Sequence, residues 1–380
     1  MWTEINKVLE TIDGIVWGVP LMVLILAGGL LLTIRLGLLQ VRRLPLALKW
    51  MVKNEEGGEG EVSSFSALCT ALSATIGTGN IVGVATAIAA GGPGALFWME
   101  VAAFLGIATK YAEGLLAVKY RVVDESGHAL GGPFYYIEKG MGKNWKWLAS
   151  IFAVFGALAA FGIGNMTQIN TIAGTINTAI AGFIPTTDSQ QTMIAWVVSI
   201  ICAIICAIVL LGGIQRLADV CGLLVPVMAV IYIVAALAVI LMNVGAIPAA
   251  FGAIFKGAFN PASVAGGLAG VGIKTAITKG VGRGIFSNEA GLGSAPIAAA
   301  AAQTKEPVRQ GLVSMTGTFI DTIIVCTMTG LAIVLTGAWN VEGLEGVEIT
   351  TRAFENGLPL PPEVSSFLLM LCLVFFAFTT

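Results

Sequence analysis

The chain has 380 residues, of which 57% are hydrophobic and 11% are charged, and its formal net charge is −2. Soluble domains carry about 25% charged residues, so this composition excludes an ordinary soluble domain and indicates an integral membrane protein. Uncharged runs long enough for a membrane-spanning helix of about 20 residues recur along the chain: Gly14–Ile34, Val62–Met99, Trp147–Thr187, Ser189–Gln215 and Val220–Phe255.

The apolar pattern predicts nine membrane segments. The seventh is too long for one straight span and is rich in glycine, and the ninth reaches Thr380 without a polar flank, as a helix cut within its length would. The predicted segments are 14–36, 63–90, 94–119, 147–182, 191–213, 217–242, 262–302, 311–338 and 364–380.

Lysine and arginine predict the orientation, because cytoplasmic loops carry an excess of both. The loops after segments one, three, five and seven are basic, whereas the loop before the ninth segment is acidic. We therefore expect a multi-pass protein of the plasma membrane with its N-terminus outside. The basic residues that decide this are Arg35, Arg42, Arg43, Lys49, Lys53, Arg121, Lys139, Lys143, Lys146, Arg216, Lys305 and Arg309.

Segments two to six make five crossings, so a second set of five would run inverted. The second segment contains "SATIGTGNIVG" and the seventh contains the glycine-rich Ala265–Gly284. Glycine-interrupted segments at matching positions in two halves indicate a transporter binding site. We expect an extra N-terminal helix and cytoplasmic linker (1–60), a first repeat (61–245) and an incomplete second repeat (246–380), with discontinuous helices near 73–80 and 270–284.

A break in a membrane helix frees backbone groups, and each costs several kcal/mol in lipid unless it finds a partner. The N–H groups of Thr78 and Gly79, next to Gly77, are predicted to bind a substrate carboxylate. Thr75 and Asn80 are predicted to help hold a cation. The alternative is that these glycines only permit close helix packing.

Segment four places polar side chains in an apolar span, where they reach a substrate or bond only to neighbouring helices. Gln168 and Thr171 share a helix face, and Gln168 or Asn170 is predicted to contact substrate. Asn165 lies in the same span.

In segment seven the break lies near Gly270–Gly272 or near 280–284, and the first is favoured because it is deeper. That choice places Ile273 and Ile277 on the pocket wall, where their bulk would limit the substrate to a small side chain. "FSNEAGLG" would then follow near the inner face as a gate or hinge, with Arg283 paired to Glu289.

Two acids lie within apolar segments, where ionisable residues are expensive and are functional candidates by default. Asp321 is midway along segment eight, and its alternative role is a hydrogen-bonded packing acid. Glu100 is either functional or close to the outer interface.

Several stretches resemble known transporters. "ATIGTGN" (74–80) resembles the unwound first core helix of amino-acid transporters with a five-plus-five inverted repeat. "GGPGALFWMEVAAFLG" (91–106) and "RGIFSNEAGLGSAP" (283–296) resemble the bacterial and archaeal sodium:alanine/glycine symporter family, which usually has an aromatic residue where Glu100 stands. The resemblance implies an all-α, leucine-transporter-like bundle that carries small neutral amino acids into the cell with Na⁺ by alternating access.

The resemblance also implies site residues. Substrate carboxylate contacts would fall at Thr78 and Gly79, and the substrate amine would meet the carbonyl oxygens of Ala74 and Thr75. One Na⁺ site would use the carbonyls of Ser73 and Ile76 with the hydroxyls of Thr379 and Thr380. A second cation site would use Thr75, Asn80 and Asp321.

Other classes are disfavoured. The single histidine, His128, lies in a loop, so a histidine-based catalytic or metal site within the membrane is not expected, and the chain is not predicted to be an enzyme. A P-loop is absent, and "GTGNIVG" has no preceding strand for dinucleotide binding. Na⁺, a small amino acid and the lipid bilayer are the expected partners, without organic cofactor or nucleic acid. The alternatives are a cation channel and a proton-coupled amino-acid transporter.

Overall fold

A computed structural model describes residues 2–55, 57–181, 184–259 and 272–380. The first half of the described chain is built from twelve helices: α1 (Trp2–Val16), α2 (Val19–Arg35), α3 (Leu39–Arg42), α4 (Leu44–Val52), α5 (Ser64–Thr75), α6 (Val84–Gly91), α7 (Gly94–Lys119), α8 (Pro133–Tyr136), α9 (Lys146–Phe161), α10 (Thr167–Ala181), α11 (Asp188–Leu210) and α12 (Gly213–Met242).

The second half continues the helical pattern within the described residues. Its helices are α13 (Ile247–Phe259), α14 (Ile273–Asn288), α15 (Ala295–Ala300), α16 (Pro307–Thr318), α17 (Thr327–Leu335), α18 (Val347–Gly357) and α19 (Pro362–Thr379). Wider π-helical turns join some helices into longer runs: Gly79–Gly83, Gly162–Met166 and Phe319–Cys326. A short antiparallel hairpin pairs β1 (Val122–Val123) with β2 (Ala129–Leu130).

Seven helical stretches of the described chain are long and apolar enough to cross a membrane, and a bent pair makes an eighth. The pair consists of Ser64–Thr75 and Gly79–Gly91, which meet at an angle of 52°. The protein is therefore a multi-pass membrane protein. Eight of the nine predicted segments correspond to these stretches: Glu4–Arg35, the bent pair, Gly94–Lys119, Lys143–Ala181, Asp188–Leu210, Gly213–Met242, Pro307–Leu335 and Pro362–Thr379.

The seventh segment differs from the prediction. α14 runs without interruption through Gly280 and Gly284, so a break at 280–284 is wrong. Both glycines instead allow close packing on α7: a Cβ on Gly284 would lie 3.1 Å from the carbonyl oxygen of Met99. α14 begins after an extended Gly272, and residues 260–271, which hold the rest of the favoured break, lie outside the described part.

The interruption within the described part of this segment lies further on, between α14 and α15. There Glu289 takes a left-handed conformation with φ of 53°, and the chain turns before α15 begins at Ala295. The sequence prediction also omitted the short apolar helix α13, which follows the sixth segment.

The long helix α7 lies at the centre of the bundle, where it packs against α14, α16, α2 and α13. A buried aromatic cluster joins α12, α18 and α19 through Tyr232, Phe354 and Phe376. Apolar side chains of α9 and α11 remain exposed, as expected for helices that face lipid. The interrupted helices therefore lie inside a shell of continuous ones.

Candidate functional site

The first helix interruption lies between α5 and α6. α5 ends at Thr75, and the N–H of Gly77 donates to Oδ1 of Asn80 at 2.9 Å. The carbonyl of Ser73 accepts a hydrogen bond from Oγ1 of Thr380 at 2.9 Å. Side chains therefore take the place of backbone partners where the helix stops, as a buried break requires.

The second interruption, between α14 and α15, is held in the same way. The N–H of Ala290 donates to Oδ1 of Asn288 at 2.9 Å, and the N–H of Gly293 donates to Oε1 of Glu113 at 3.2 Å. The hydroxyl of Ser294 donates to the carboxylate of Glu289. The predicted gate or hinge "FSNEAGLG" (286–293) covers the end of α14 and most of the turn that follows it.

A small cavity of about 70 Å³ lies where the two interruptions meet. Seven of the predicted site residues line it: Ala74, Thr75, Gly77, Thr78, Gly79, Gln168 and Thr380. Six lining residues were not predicted to contact substrate: Trp17, Ile163, Phe286, Ser287, Glu289 and Leu292.

Gln168 is the polar group best placed to meet a ligand in this cavity. Its Nε2 donates to the carbonyl of Ile163 at 3.1 Å, whereas its Oε1 is buried without a hydrogen-bond partner. A buried acceptor without a partner is destabilising by about 1–3 kcal/mol, so a donor from a bound molecule would relieve it. Thr78 and Gly79 stand at the start of the helical run Gly79–Gly91, where free N–H groups favour an anion.

Other predicted substrate residues lie away from the small cavity. Ile277 packs in an apolar cluster against Val281 and Ile285, 12 residues before the turn at Glu289, or ~18 Å along a helix. Ile273 is one turn further away. Asn170 is exposed, and the hydroxyl of Thr171 donates to its own helix. Ile273 and Ile277 therefore do not line the small cavity. Their place on a pocket wall stays a prediction, because residues 260–271 lie outside the described part.

The hydroxyls of the two terminal threonines share one hydrogen-bond acceptor and differ in their other partners. Thr380 bonds to Ser73, but Oγ1 of Thr379 lies 3.3 Å from the sulfur of Met228 on α12. Both hydroxyls also donate to the carbonyl of Phe376, at 3.1 Å from Thr379 and 2.9 Å from Thr380. The carbonyl of Ser73 is joined to Thr380, and Ile76 is buried beside the break.

Asp321 is completely buried and forms the centre of a polar cluster. Its carboxylate accepts from Nδ2 of Asn80 at 2.7 Å, from the hydroxyl of Thr322 at 2.7 Å and from the hydroxyl of Ser287 at 3.0 Å. The hydroxyl of Thr75 donates weakly to Leu72 at 3.4 Å and stays outside this cluster. The cluster links the first interruption, through Asn80, to α14, through Ser287.

Glu100 belongs to the interior of the bundle. Its Oε1 is buried without a hydrogen-bond partner, and its carboxyl group faces Thr327 at the start of α17. Arg283 and Glu289 are both described, and they do not form the predicted ion pair. The guanidinium of Arg283 lies over the ring of Phe286, 5.7 Å from its centre, and Glu289 is bonded to Ser294.

A larger cavity of about 320 Å³ adjoins the small one at Gln168 and Thr380. It lies between α10, α11, α12 and α19, and includes Asn165, Cys206 and Cys221. Its walls are mostly apolar and reach the exposed helix α11. The small cavity brings polar groups of both interruptions together and is therefore the candidate binding site. His128 lies in the loop between β1 and β2, and its side chain is exposed.

Apolar spans that surround two interrupted helices, with a small polar cavity at the breaks, are typical of membrane transporters. The family model described as "Sodium:alanine symporter family" matches residues 2–380, and the chain belongs to this family. The family predicted from the motifs is thereby confirmed.

Relatives from three organisms show how far the similarity extends. The chain is 49% identical to the sodium/alanine symporter AgcS of Methanococcus maripaludis, over 98% of this chain and 80% of that protein. It is 53% identical to an uncharacterized transporter of Haemophilus influenzae, over 99% of this chain and 79% of that protein. It is 40% identical to the putative sodium/proton-dependent alanine carrier YrbD of Bacillus subtilis, over 98% and 75%.

The contact between Gly77 and Thr380 predicts a selective effect of a methyl group. A Cβ on Gly77 would lie 2.6 Å from Oγ1 of Thr380, whereas a Cβ on Gly83 would meet nothing within 4 Å. Gly77→Ala should displace Thr380 from Ser73 and lower stability by about 1 kcal/mol or more, the worth of a buried hydrogen bond. Gly83→Ala should be neutral or stabilising. Thermal unfolding in detergent tests this, and equal melting temperatures for the two variants would contradict the contact.

Proposed function

We propose that the protein is a secondary active transporter that uses a Na⁺ gradient to take up a small neutral amino acid, alanine or glycine, by alternating access. The observation that carries the proposal is the small cavity enclosed by both helix interruptions. Membership of the sodium:alanine symporter family supports Na⁺ and alanine as the transported pair. The name of the Methanococcus maripaludis relative, a sodium/alanine symporter, supports the same pair.

The size of the cavity favours a small substrate. A cavity of about 150 Å³ binds benzene, and the volume here is about 70 Å³. That space suits glycine or alanine better than a long polar side chain. A Bacillus subtilis relative, 38% identical over 97% of this chain and 74% of its own length, is named a probable sodium/glutamine symporter. We infer that Leu292, Phe286 and Trp17 leave too little room for such a side chain here.

Polar groups at the cavity match the two ends of a zwitterion. We assign the substrate carboxylate to the N–H groups of Thr78 and Gly79, at the positive end of a helix. We assign the ammonium group to the carbonyls of Ala74 and Thr75 and to the unpaired Oε1 of Gln168. An ammonium group carries three donors, which matches this set of acceptors. The apolar wall would then enclose the methyl group of alanine.

Two groups of oxygen atoms are proposed as Na⁺ sites. One combines the carbonyls of Ser73 and Ile76 with the hydroxyls of Thr379 and Thr380. The other combines the carboxylate of Asp321 with the hydroxyls of Ser287 and Thr322, next to the amide of Asn80. The charge of Asp321 would compensate that of a bound cation, which explains a carboxylate at this depth.

We propose that 61–245 and 246–380 are related by inversion, with the extra helix in 1–60 and the N-terminus outside. Support comes from the cavity, where an interruption from each half contributes to the wall. The N-terminal helices are not separate from the site, because Trp17 also lines the cavity and α2 packs against α7 and α14.

Transport by proteoliposomes tests the proposal. An inward Na⁺ gradient should drive accumulation of labelled alanine, and Asp321→Asn should raise the Na⁺ concentration for half-maximal uptake at least tenfold by removing the compensating charge. Asp219→Asn makes the same change at an exposed residue of α12 and should leave uptake unchanged. Equal uptake driven by K⁺ or by protons alone would contradict Na⁺ coupling, and unitary currents would indicate a channel.

The cavity wall predicts substrate selectivity. Leu292→Ala should enlarge the cavity and let amino acids with longer side chains compete with alanine, because Leu292 lines the site. Ile277→Ala removes similar volume from α14 outside the cavity and is the matched control. Competition assays over glycine, alanine, serine, valine and leucine measure the effect. A broader profile for Ile277→Ala than for Leu292→Ala would contradict this position of the site.

A further inference from the structure

The segment that leads into α5 is tied to the segment that follows α15. Glu59 pairs with Thr304 in an antiparallel bridge, and Val62 pairs with Ala302. The N–H of Thr304 donates to the carbonyl of Glu59 at 3.1 Å, and the N–H of Gln303 donates to that of Val62 at 2.7 Å. Backbone bonds therefore join the start of one interrupted helix to the end of the other.

The glycines of "EGGEGE" permit this contact. A Cβ on Gly58 would lie 2.5 Å from the carbonyl carbon of Thr304, and one on Gly60 would overlap Ala302. Gly60 also has a φ of 132°, which side chains other than hydrogen rarely allow. The glycines of this segment therefore let its backbone pack directly against the residues that follow α15.

Arg121, just beyond the end of α7, bridges both sides of the contact. Its Nη1 donates to the carbonyls of Ala300 at 2.9 Å and Ala302 at 2.7 Å. Its Nη2 donates to the carbonyls of Glu59 at 2.6 Å and Thr304 at 3.4 Å. A guanidinium group suits this arrangement, because its rigid fork presents several donors at once, unlike the ammonium group of lysine.

Charged residues reinforce the edges of the contact. Glu55 accepts from the hydroxyl of Thr304 at 2.8 Å and lies 3.6 Å from Nε of Arg309. Partial burial raises the pKa of Glu55, but bonds from Thr304 and Lys305 and the charge of Arg309 lower it overall. The Glu55 carboxylate therefore stays ionised at neutral pH and keeps its hydrogen bonds.

This contact closes one end of the bundle. Beneath it, Val62, Ala67, Ala218, Ala301 and Ala302 form a buried apolar cluster. α5 and α15 each run from this cluster to one of the interruptions that line the cavity. The contact lies on the face that carries the basic loops, and separation of the two helix ends would open a path from the cavity to that face.

We propose that Arg121 and segment 57–62 form the inner gate of the transporter, with Arg121 as the residue that positions both half-helices in the closed state. The proposal rests on the proposed transport function. Release of Arg121 from its four carbonyls would free α5 and α15 to move apart on the basic face. A glutamine at 121 is shorter and carries two donors instead of five, so most of these hydrogen bonds are lost and the open gate is favoured.

Thiol labelling tests the gate without any substrate. Cys69 is buried on α5, 1% exposed, and a hydrophilic maleimide should label it at least tenfold faster in Arg121→Gln than in the unmodified protein. Arg121→Lys keeps the charge with fewer aligned donors and should fall between the two. Arg216→Gln is the matched control on an exposed arginine and should label slowly. Labelling of Arg121→Gln at the unmodified rate would overturn the proposal.

A reversible crosslink keeps the test independent of misfolding. Glu59→Cys with Thr304→Cys places two thiols on bridge partners, whose Cα atoms are typically about 4.5–5.5 Å apart, within disulfide range. Oxidation should reduce alanine uptake at least tenfold, and reduction should restore it, with both single variants unaffected by oxidation. Undiminished uptake by the crosslinked protein would overturn the gate. Absence of Na⁺-driven uptake in the unmodified protein would instead contradict the proposed function. The labelling rates would then be the test of whether Arg121 holds the gate closed.

Discussion

The structure depends on one constraint, which is that a helix interrupted inside a membrane must find partners for its free backbone groups. Asn80 meets this constraint at the first interruption, because its Oδ1 accepts from Gly77 while its Nδ2 donates to Asp321. One side chain thereby fixes both the shape of the break and the position of the buried carboxylate. At the second interruption, side-chain oxygens of Asn288 and Glu113 accept hydrogen bonds from free backbone N–H groups.

These partners are the groups that a substrate and a cation would engage under the proposed function. Na⁺ near Asp321 would compete with the amide of Asn80 for the same carboxylate, and Asn80 also holds Gly77 beside the cavity. Na⁺ and the amino acid would therefore act on one interruption from opposite sides. Such sharing gives a physical route to coupling, since each ligand would change the free energy with which the other binds.

The sequence predicted the first interruption because glycines, hydroxyls and Asn80 occur together within an apolar span. The alternative break at 280–284 is wrong, whereas the favoured one at 270–272 lies largely outside the described residues. In the structure the glycines of α14 pack against α7, and the turn is made at Glu289, Gly291 and Gly293, all with positive φ. The signal that was available is Asn288 and Ser294, two capping residues that flank these glycines.

Other features needed tertiary contacts that no local pattern encodes. Trp17 reaches the cavity from the turn between α1 and α2, outside the proposed repeats. The four carbonyl partners of Arg121 are up to 183 residues away in sequence. Thr380 donates to the carbonyl of Ser73, and its neighbour Thr379 lies against the sulfur of Met228. Helix positions were thus predictable from apolar runs, whereas the residues that meet at the site depended on how the helices pack.

The central claim is that Na⁺ and a small amino acid share one site at the two interruptions. Equilibrium binding of labelled alanine to the purified protein in detergent, measured over a series of Na⁺ concentrations at constant ionic strength with choline, tests it most directly. We expect the affinity for alanine to rise at least tenfold from low to saturating Na⁺. Alanine should strengthen Na⁺ binding by the same factor. An alanine affinity that is the same in Na⁺ and in choline would contradict it.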